Sequence, residues 1–210
     1  QNETLIIKNA TVTAKGTEAA IADLKTFTLE GCRIIAPAGV EWKAENKAVV
    51  DAGGNKAKEV RIEPELYIAG TLVTSLNCNA LKDIKGVTVA PDGEFKYDPA
   101  SKTLTMKGVT VSVGNDGKNA IHNKGIEGLK IVVSGTNRLE SNIVVLYAAA
   151  SIEIKGRGSL TVINKSNANI GIYLASSNTT VTISDISLEV SGKWGISGEP
   201  RKTNQALILK

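Results

Sequence analysis

Short alternations of apolar and polar residues, each broken by one corner residue, recur along the chain. Alternation with a period of two predicts a strand with one buried face. Each segment is therefore predicted to be two short strands joined by a sharp bend. The segments, with their corners in parentheses, are 4–12 (Asn9), 26–34 (Gly31), 103–111 (Gly108), a looser copy at 129–135 (Gly135), 151–162 (Gly156) and 180–190 (Asp185).

The corners are asparagine, aspartate or glycine, the residue types that most readily adopt a left-handed backbone. They lie 22 residues apart at first and 21 to 29 residues apart from Gly108 onward, a length that suits one coil of a parallel β-solenoid. One coil cannot bury its inner face alone, so neighbouring coils must stack. A β-sandwich also consists of short strands, but it gives no reason for a repeated corner.

A second sequence motif recurs at similar intervals and consists of a small residue followed by an aliphatic one. Its aliphatic members are Ile121, Leu146, Ile172 and Ile196. We expect them to stack inward as one column. The residues directly after them are therefore predicted to point outward as a flat polar and aromatic ladder: His122, Tyr147, Tyr173 and Ser197, with Trp194 in the same last coil.

This ladder has two interpretations. Flat rings with hydroxyl edges suit stacking against sugars, which makes His122, Tyr147, Tyr173 and Trp194 candidate glycan-binding residues. Outward aromatic side chains also stack on one another for stability alone. Both interpretations stay open at this point.

Residues 43–66 interrupt the periodic pattern, and a different one follows them. Leu66 to Val73 predicts a β-hairpin turning at Ala69-Gly70, and residues 77–84 predict one or two helical turns capped by Asn77 or Asn79. The predicted organisation is closing coils of a first β-helix in 1–66, a hairpin cap in 67–102 and coils of a second stretch in 103–210.

The cap sequence resembles a known module. Leu66-Tyr67-Ile68-Ala69-Gly70 and Tyr97-Asp98-Pro99-Ala100-Ser101-Lys102-Thr103-Leu104-Thr105 are similar to the start of a repeated unit in secreted and surface-attached β-helix proteins of gut anaerobic bacteria. These are often described only as carbohydrate-binding-domain-containing or hypothetical. The resemblance implies a right-handed parallel β-helix, export and a bacterial cell-surface location. The resemblance assigns no catalytic residues to this chain.

Charge and composition disfavour several classes of binding partner and site. The net charge of +4 is spread without a block of like charges, which disfavours nucleic acid, and the longest apolar run, 143–150, is too short for a membrane span. Cys32 and Cys78 have no zinc or redox spacing; the two alternatives are a single disulfide and two unpaired buried thiols, of which the second is expected. His122 is the only histidine, which excludes a multi-histidine metal site, and no cofactor or catalytic residue is predicted.

The chain is therefore predicted to be all-β, a right-handed parallel β-helix with an inserted β-hairpin capping module. Its expected role is an extracellular, non-catalytic adhesin, scaffold or carbohydrate-binding surface protein whose partner is a glycan or another surface protein. The alternatives are a polysaccharide-processing enzyme, either a lyase or a glycoside hydrolase, and a purely structural spacer.

The two ends of the chain carry a further expectation. Residues 204–210 resemble 1–8 in pattern, which suggests either a longer tandem array or end-to-end self-association through open solenoid edges. Because Gln1 is not an initiator methionine and no signal segment precedes it, the chain is expected to be a mature or trimmed piece.

Overall fold

A computed structural model describes residues 3–114 and 116–210 of the chain. Gln1, Asn2 and Asn115 lie outside this description, and so does the expectation drawn from Gln1. Strands account for 55% of the chain, which confirms the all-β prediction. The structure divides into two compact units, Gln1–Glu65 and Leu66–Lys210. Each has its own apolar core.

The first unit combines a parallel strand pair with antiparallel strands. Its strands are β1 (Thr4–Lys8), β2 (Val12–Lys15), β3 (Thr26–Glu30), β4 (Cys32–Ala36), β5 (Glu41–Lys43), β6 (Ala48–Val50) and β7 (Glu59–Pro64). β1 and β3 pair in parallel, as stacked coils do. β7 lies between β2 and β4 and is antiparallel to both, and β5 and β6 form a hairpin. That this unit closes a first β-helix stays a prediction.

The core of the first unit contains one of the two cysteines. Both Cys32 and Cys78 are free thiols, as expected from their spacing. Cys32 is buried and its Sγ donates to the Ile7 carbonyl at 3.2 Å. Burial raises the pKa of the Cys32 thiol, which favours its neutral form. Cys78 is only half-buried, so the expectation of burial holds for Cys32 alone.

The second unit begins with antiparallel elements. They are β8 (Leu66–Ile68), β9 (Thr71–Val73), a short 3₁₀-helix (Leu81–Asp83) and β10 (Val87–Asp98). β8 and β9 form the predicted hairpin, whose turn residues Ala69 and Gly70 both have positive φ. The predicted cap at Asn77 or Asn79 is wrong. The helix follows Ala80, because the Asn77 side chain instead binds the Thr74 amide and the Leu72 carbonyl.

The remaining strands form a parallel β-solenoid, as predicted. They are β11 (Thr103–Ser112), β12 (Ile121–Asn123), β13 (Leu129–Ser134), β14 (Thr136–Ser141), β15 (Leu146–Ala148), β16 (Ile152–Gly156), β17 (Ser159–Asn164), β18 (Ile170–Leu174), β19 (Thr180–Ser184), β20 (Ser187–Ser191), β21 (Trp194–Gly198) and β22 (Ala206–Leu209). They stack in three rows: β11-β13-β16-β19-β22, β11-β14-β17-β20 and β12-β15-β18-β21.

The first coil meets the antiparallel elements of the same unit. β10 pairs with β11, and β8 pairs with β12, both in antiparallel register. The first-coil strand β12 therefore has its outer edge covered by a strand of opposite direction. The buried side chains Phe95 and Tyr97 of β10 join the solenoid core. Through these contacts, β8 and β10 cap the first coil of the solenoid.

The repeated corners and the inner column occupy the predicted places. All six corner residues have positive φ, from 50° at Asn9 to 134° at Gly156. The strand register aligns Ile121, Leu146, Ile172 and Ile196 as one column. The first three are fully buried, whereas Ile196 in the last complete coil is only partly buried.

Candidate functional site

One face of the β12-β15-β18-β21 row carries aromatic side chains in register. The strand pairing sets His122 beside Tyr147, and Tyr147 beside Tyr173. Tyr67 in the cap strand β8 pairs with His122 and extends the row by one ring. The residues on either side of each ring are buried, so strand alternation turns the rings outward. We call Tyr67, His122, Tyr147 and Tyr173 the aromatic ladder.

The rings of the ladder touch each other at tilted angles. The ring centroids are 5.8 Å apart for Tyr67–His122, 4.6 Å for His122–Tyr147 and 5.5 Å for Tyr147–Tyr173. The planes of the second and third pairs meet at 62° and 66°. The expectation of a flat ladder is therefore wrong, because edge-to-face contact suits the ring quadrupoles better than a face-to-face sandwich. Each ring is partly buried and partly exposed.

The last ring of the ladder is fixed by a carboxylate. The Tyr173 hydroxyl donates a short hydrogen bond to Glu199, and the Nε of Arg201 lies 3.4 Å from the same carboxylate. Burial, together with this hydrogen bond and the nearby negative charge, raises the pKa of Tyr173 to about 12. The hydrogen bond from Tyr173 in turn lowers the pKa of Glu199. Tyr173 is thus held neutral with its hydroxyl direction set.

Trp194 lies apart from the ladder. In the β18–β21 pairing it is opposite Ile170, whereas Ser197 is opposite Tyr173. Because Trp194 and Ser197 are an odd number of residues apart, their side chains leave opposite faces of β21. Trp194 is 51% exposed, and the ammonium of Lys193 lies 4.5 Å from its ring centroid. The structure therefore brings together three of the four sequence-predicted site residues and leaves Trp194 out.

A cavity of about 280 Å³ opens at the cap end of the ladder. Tyr67 and His122 form its aromatic wall, and Lys118, Asn119 and Lys124 line it with polar groups. No repeated pattern in the sequence indicates Tyr67 or the three polar residues as parts of a site. Tyr67 sits between two buried residues as His122 does, but its antiparallel pairing with β12 leaves no periodic signal in the sequence.

The first unit holds a separate aromatic pair. The rings of Phe27 and Trp42 have centroids 5.5 Å apart and meet at 52°. With Arg33 and Glu41 they line a cavity of about 300 Å³. Glu41 also forms an ion pair with Lys43 at 2.5 Å. Phe27 belongs to β3 and Trp42 to the β5–β6 hairpin, so this aromatic pair is not part of a repeated row.

Two acidic side chains of the solenoid, Glu140 and Glu153, are held in ion pairs. Glu140 contacts Arg138, lies 3.5 Å from the Lys165 ammonium and accepts a hydrogen bond from Ser112 at 2.8 Å. Although burial opposes ionisation, these contacts together lower the pKa of Glu140. Glu153 pairs with Lys155 at 2.9 Å. Glu140, whose pKa is lowered, is therefore unlike a general acid, whose pKa must be raised.

Residues 3–114 and 116–210 contain no group of three or more His, Cys, Asp or Glu side chains placed to hold a metal ion. In the same part of the chain, no helix has the length and apolar character that a membrane crossing needs.

Comparisons of the chain with protein-family models, with curated proteins and with solved structures found no match.

Proposed function

We propose that the protein is a secreted or surface-attached bacterial β-solenoid protein that binds glycans, without cleaving them, through the aromatic ladder. The observation that carries the proposal is the row of four partly exposed rings on successive paired strands. Strands in a sheet lie about 4.8 Å apart, so the row offers apolar ring surface at regular intervals along one direction. An extended sugar chain presents C–H faces and hydroxyl groups at intervals of similar size.

Carbohydrate recognition needs polar groups beside the rings, and the ladder has them. The tyrosine hydroxyls can donate and accept hydrogen bonds, and Tyr173 is kept neutral and oriented by Glu199. Lys118, Asn119 and Lys124 supply further donors at the cap end. Surfaces that combine aromatic bodies with polar tips are favoured at binding sites. The ion-paired carboxylates give no support to the alternative of a polysaccharide-processing enzyme.

The structural-spacer alternative is favoured by one observation, the edge-to-face contacts between successive rings. Such contacts stabilise a sheet by about 0.5–1.5 kcal/mol each beyond the area they bury. A purely structural ladder would bind nothing, and its loss would lower stability alone. Binding and stability must therefore be measured on the same variants.

The proposal is tested with a glycan array probed by the wild-type chain and by the Tyr147→Leu/Tyr173→Leu double variant. Leucine keeps apolar bulk between the coils but removes ring faces and hydroxyls. We expect at least one glycan to bind the wild type, and the double variant to bind it at least about tenfold more weakly, since each lost ring contact is worth on the order of 1 kcal/mol.

Trp194→Leu is the matched control, because it removes an exposed ring from the opposite face of the same sheet. It should bind like the wild type. Far-ultraviolet circular dichroism and thermal midpoints report the folding of each variant. A wild-type chain that binds no glycan, or a double variant that binds normally while melting earlier, would show that the ladder is structural.

A further inference from the structure

The Tyr173 end of the aromatic ladder combines a ring, a hydroxyl group and an ion pair. The Tyr173 hydroxyl donates to one oxygen of the Glu199 carboxylate, and Nε of Arg201 lies 3.4 Å from the other oxygen. The ring centroid of Tyr147 lies 5.5 Å from that of Tyr173. These contacts join the two tyrosine rings and the carboxylate into one cluster at this end of the row.

Backbone hydrogen bonds hold Glu199 beside the ring. The Glu199 amide donates at 2.9 Å to the carbonyl of Leu174, the residue that follows Tyr173. The Lys202 amide donates to the Glu199 carbonyl at 2.9 Å, and the Gln205 side-chain amide donates to the Leu174 carbonyl at 2.7 Å. The carboxylate therefore lies on a turn that is fixed to the strand of the ring. Pre-organisation of this kind lowers the entropy that a ligand must remove on binding.

The next strand ends the ladder without a further ring. Ser197 of β21 lies in register with Tyr173, and its hydroxyl donates to the Gly198 carbonyl at 3.3 Å. Tyr173 is only partly buried, and 23% of the Glu199 side chain is exposed. A ligand that lies along the ladder can therefore reach both groups at this end.

The hydrogen bond to Glu199 determines what the Tyr173 hydroxyl offers to a ligand. A tyrosine hydroxyl has one proton to donate and an oxygen that can also accept. Because the carboxylate takes that proton, the oxygen faces a ligand as an acceptor only. A hydroxyl that donates to an ionised group is also polarised, which makes its oxygen a stronger acceptor. This end of the ladder therefore favours a ligand group that donates a hydrogen bond.

We propose that Glu199 is a positioning residue for glycan binding, which holds the Tyr173 hydroxyl as an acceptor for a free sugar hydroxyl group. The inference rests on the proposed function, since it names the specificity of one end of the same face. The sugar unit beside Tyr173 carries an unsubstituted hydroxyl group. A unit whose hydroxyl is esterified at this position has no proton to donate and binds more weakly.

The first test is a double-mutant cycle on binding affinity, measured by calorimetry with laminarihexaose, mannohexaose and xylohexaose as the probes. We expect at least one probe to bind the wild-type chain. Tyr173→Phe keeps the ring but removes the hydroxyl, and should weaken that binding about tenfold. Glu199→Gln no longer fixes the hydroxyl proton and should weaken it about fivefold. The double variant should bind like Tyr173→Phe alone, because Glu199 acts through the hydroxyl that is already missing.

The second test compares each probe with its O-acetylated form. Acetylation replaces a hydroxyl group, which donates, by an ester, which only accepts. We expect acetylation to weaken binding to the wild-type chain about tenfold, and to weaken binding to Tyr173→Phe about threefold or less. A substitution that only loosened the fold would weaken the binding of both forms equally.

Glu189→Gln is the matched control, because it removes one exposed carboxylate from β20, outside the ladder row. It should bind every probe as the wild type does. Glu199→Asp is a second variant, since its shorter side chain withdraws the carboxylate from Tyr173, and it should weaken binding as Glu199→Gln does. Circular dichroism and thermal midpoints report the folding of each variant.

The outcomes separate this inference from the function on which it rests. An unchanged affinity in Glu199→Gln would overturn the positioning role. A double variant in which the two losses multiply would show that Glu199 acts independently of the Tyr173 hydroxyl, and would overturn it as well. Equal binding of free and acetylated probes would overturn the proposed specificity. A wild-type chain that binds none of the probes would overturn this inference, whereas the glycan array decides the proposed function separately.

Discussion

At the scale of single residues, buried asparagines join one coil of the solenoid to the next. Asn123, Asn137 and Asn164 are at most 1% exposed, yet each forms hydrogen bonds to backbone groups. Asn137 accepts from the Val109 amide at 2.9 Å and donates to the Ser134 carbonyl at 2.8 Å, which lie on different coils. A buried polar group costs little when it is bonded and much when it is left unpaired.

Removal of one such side chain should therefore destabilise the fold. Asn137→Ala leaves the Val109 amide without its partner and is expected to lower the free energy of unfolding by about 2 kcal/mol. The measurement is urea unfolding followed by circular dichroism. Asn79→Ala, at an exposed turn position, should change the free energy of unfolding by less than about 0.5 kcal/mol. Equal effects of the two substitutions would contradict this role of Asn137.

The Tyr173–Glu199 hydrogen bond predicts an alkaline titration. Because the folded-state pKa of Tyr173 is about 12 and its ordinary value is 10.0, the neutral ring stabilises the fold below about pH 10. This contribution is lost as the pH rises through about 12. Spectrophotometric titration of phenolate should show a component that ionises late, and Glu199→Gln should lower the pKa of Tyr173 toward its ordinary value. An unchanged titration curve in Glu199→Gln would show that the carboxylate has no such effect.

The single residues also show which features the sequence can predict. Gly108, Gly135 and Asp185 were identifiable as corners because few residue types tolerate positive φ, and all have it. The short sequence distance between Trp194 and Ser197 is the only feature that predicts a position of Trp194 near the ladder. Strand alternation puts it on the other face, since its offset from Ser197 is odd. Lys118 and Asn119 lie in an aperiodic segment, where no pattern marks their position in a pocket.

At the scale of elements, parallel strands were predictable and antiparallel ones were less so. Coils repeat, so each strand is supported by several copies of the same pattern. The β8–β9 hairpin was visible from Ala69-Gly70 because a two-residue turn has its own chemistry. By contrast, β7 and β10 occur once, and their pairing with β2, β4 and β11 depends on contacts distant in sequence.

The stacking of the coils also predicts at which positions a core substitution lowers the free energy of unfolding most. Leu139 in β14 is fully buried between β11 and β17, whereas Leu207 in β22 is 44% exposed. Leu139→Ala should lower the free energy of unfolding by about 3 kcal/mol, and Leu207→Ala by less than about 1 kcal/mol. Chemical denaturation of both variants measures the difference. A large cost at Leu207 would indicate that β22 is covered in solution, as end-to-end self-association requires.

At the scale of the whole molecule, the chain has two separate apolar cores. The buried residues of one core all come from residues 7–62 and those of the other from residues 66–183. We expect a fragment of residues 66–210 to fold without the first unit, because its core and its β8–β10 elements are both included. Its thermal unfolding, followed by circular dichroism, should match one transition of the full chain. A fragment that stays unfolded would contradict the independence of the two cores.

The strand β7 has a geometric consequence for the first unit. β1 and β3 are direct neighbours, so their axes lie about 4.8 Å apart, whereas β2 and β4 are separated by β7 and lie about twice as far apart. Two successive turns of chain are therefore closer on one side than on the other. The two turns therefore diverge from the β1–β3 side of the unit toward the β2–β4 side, where β7 occupies the space between them.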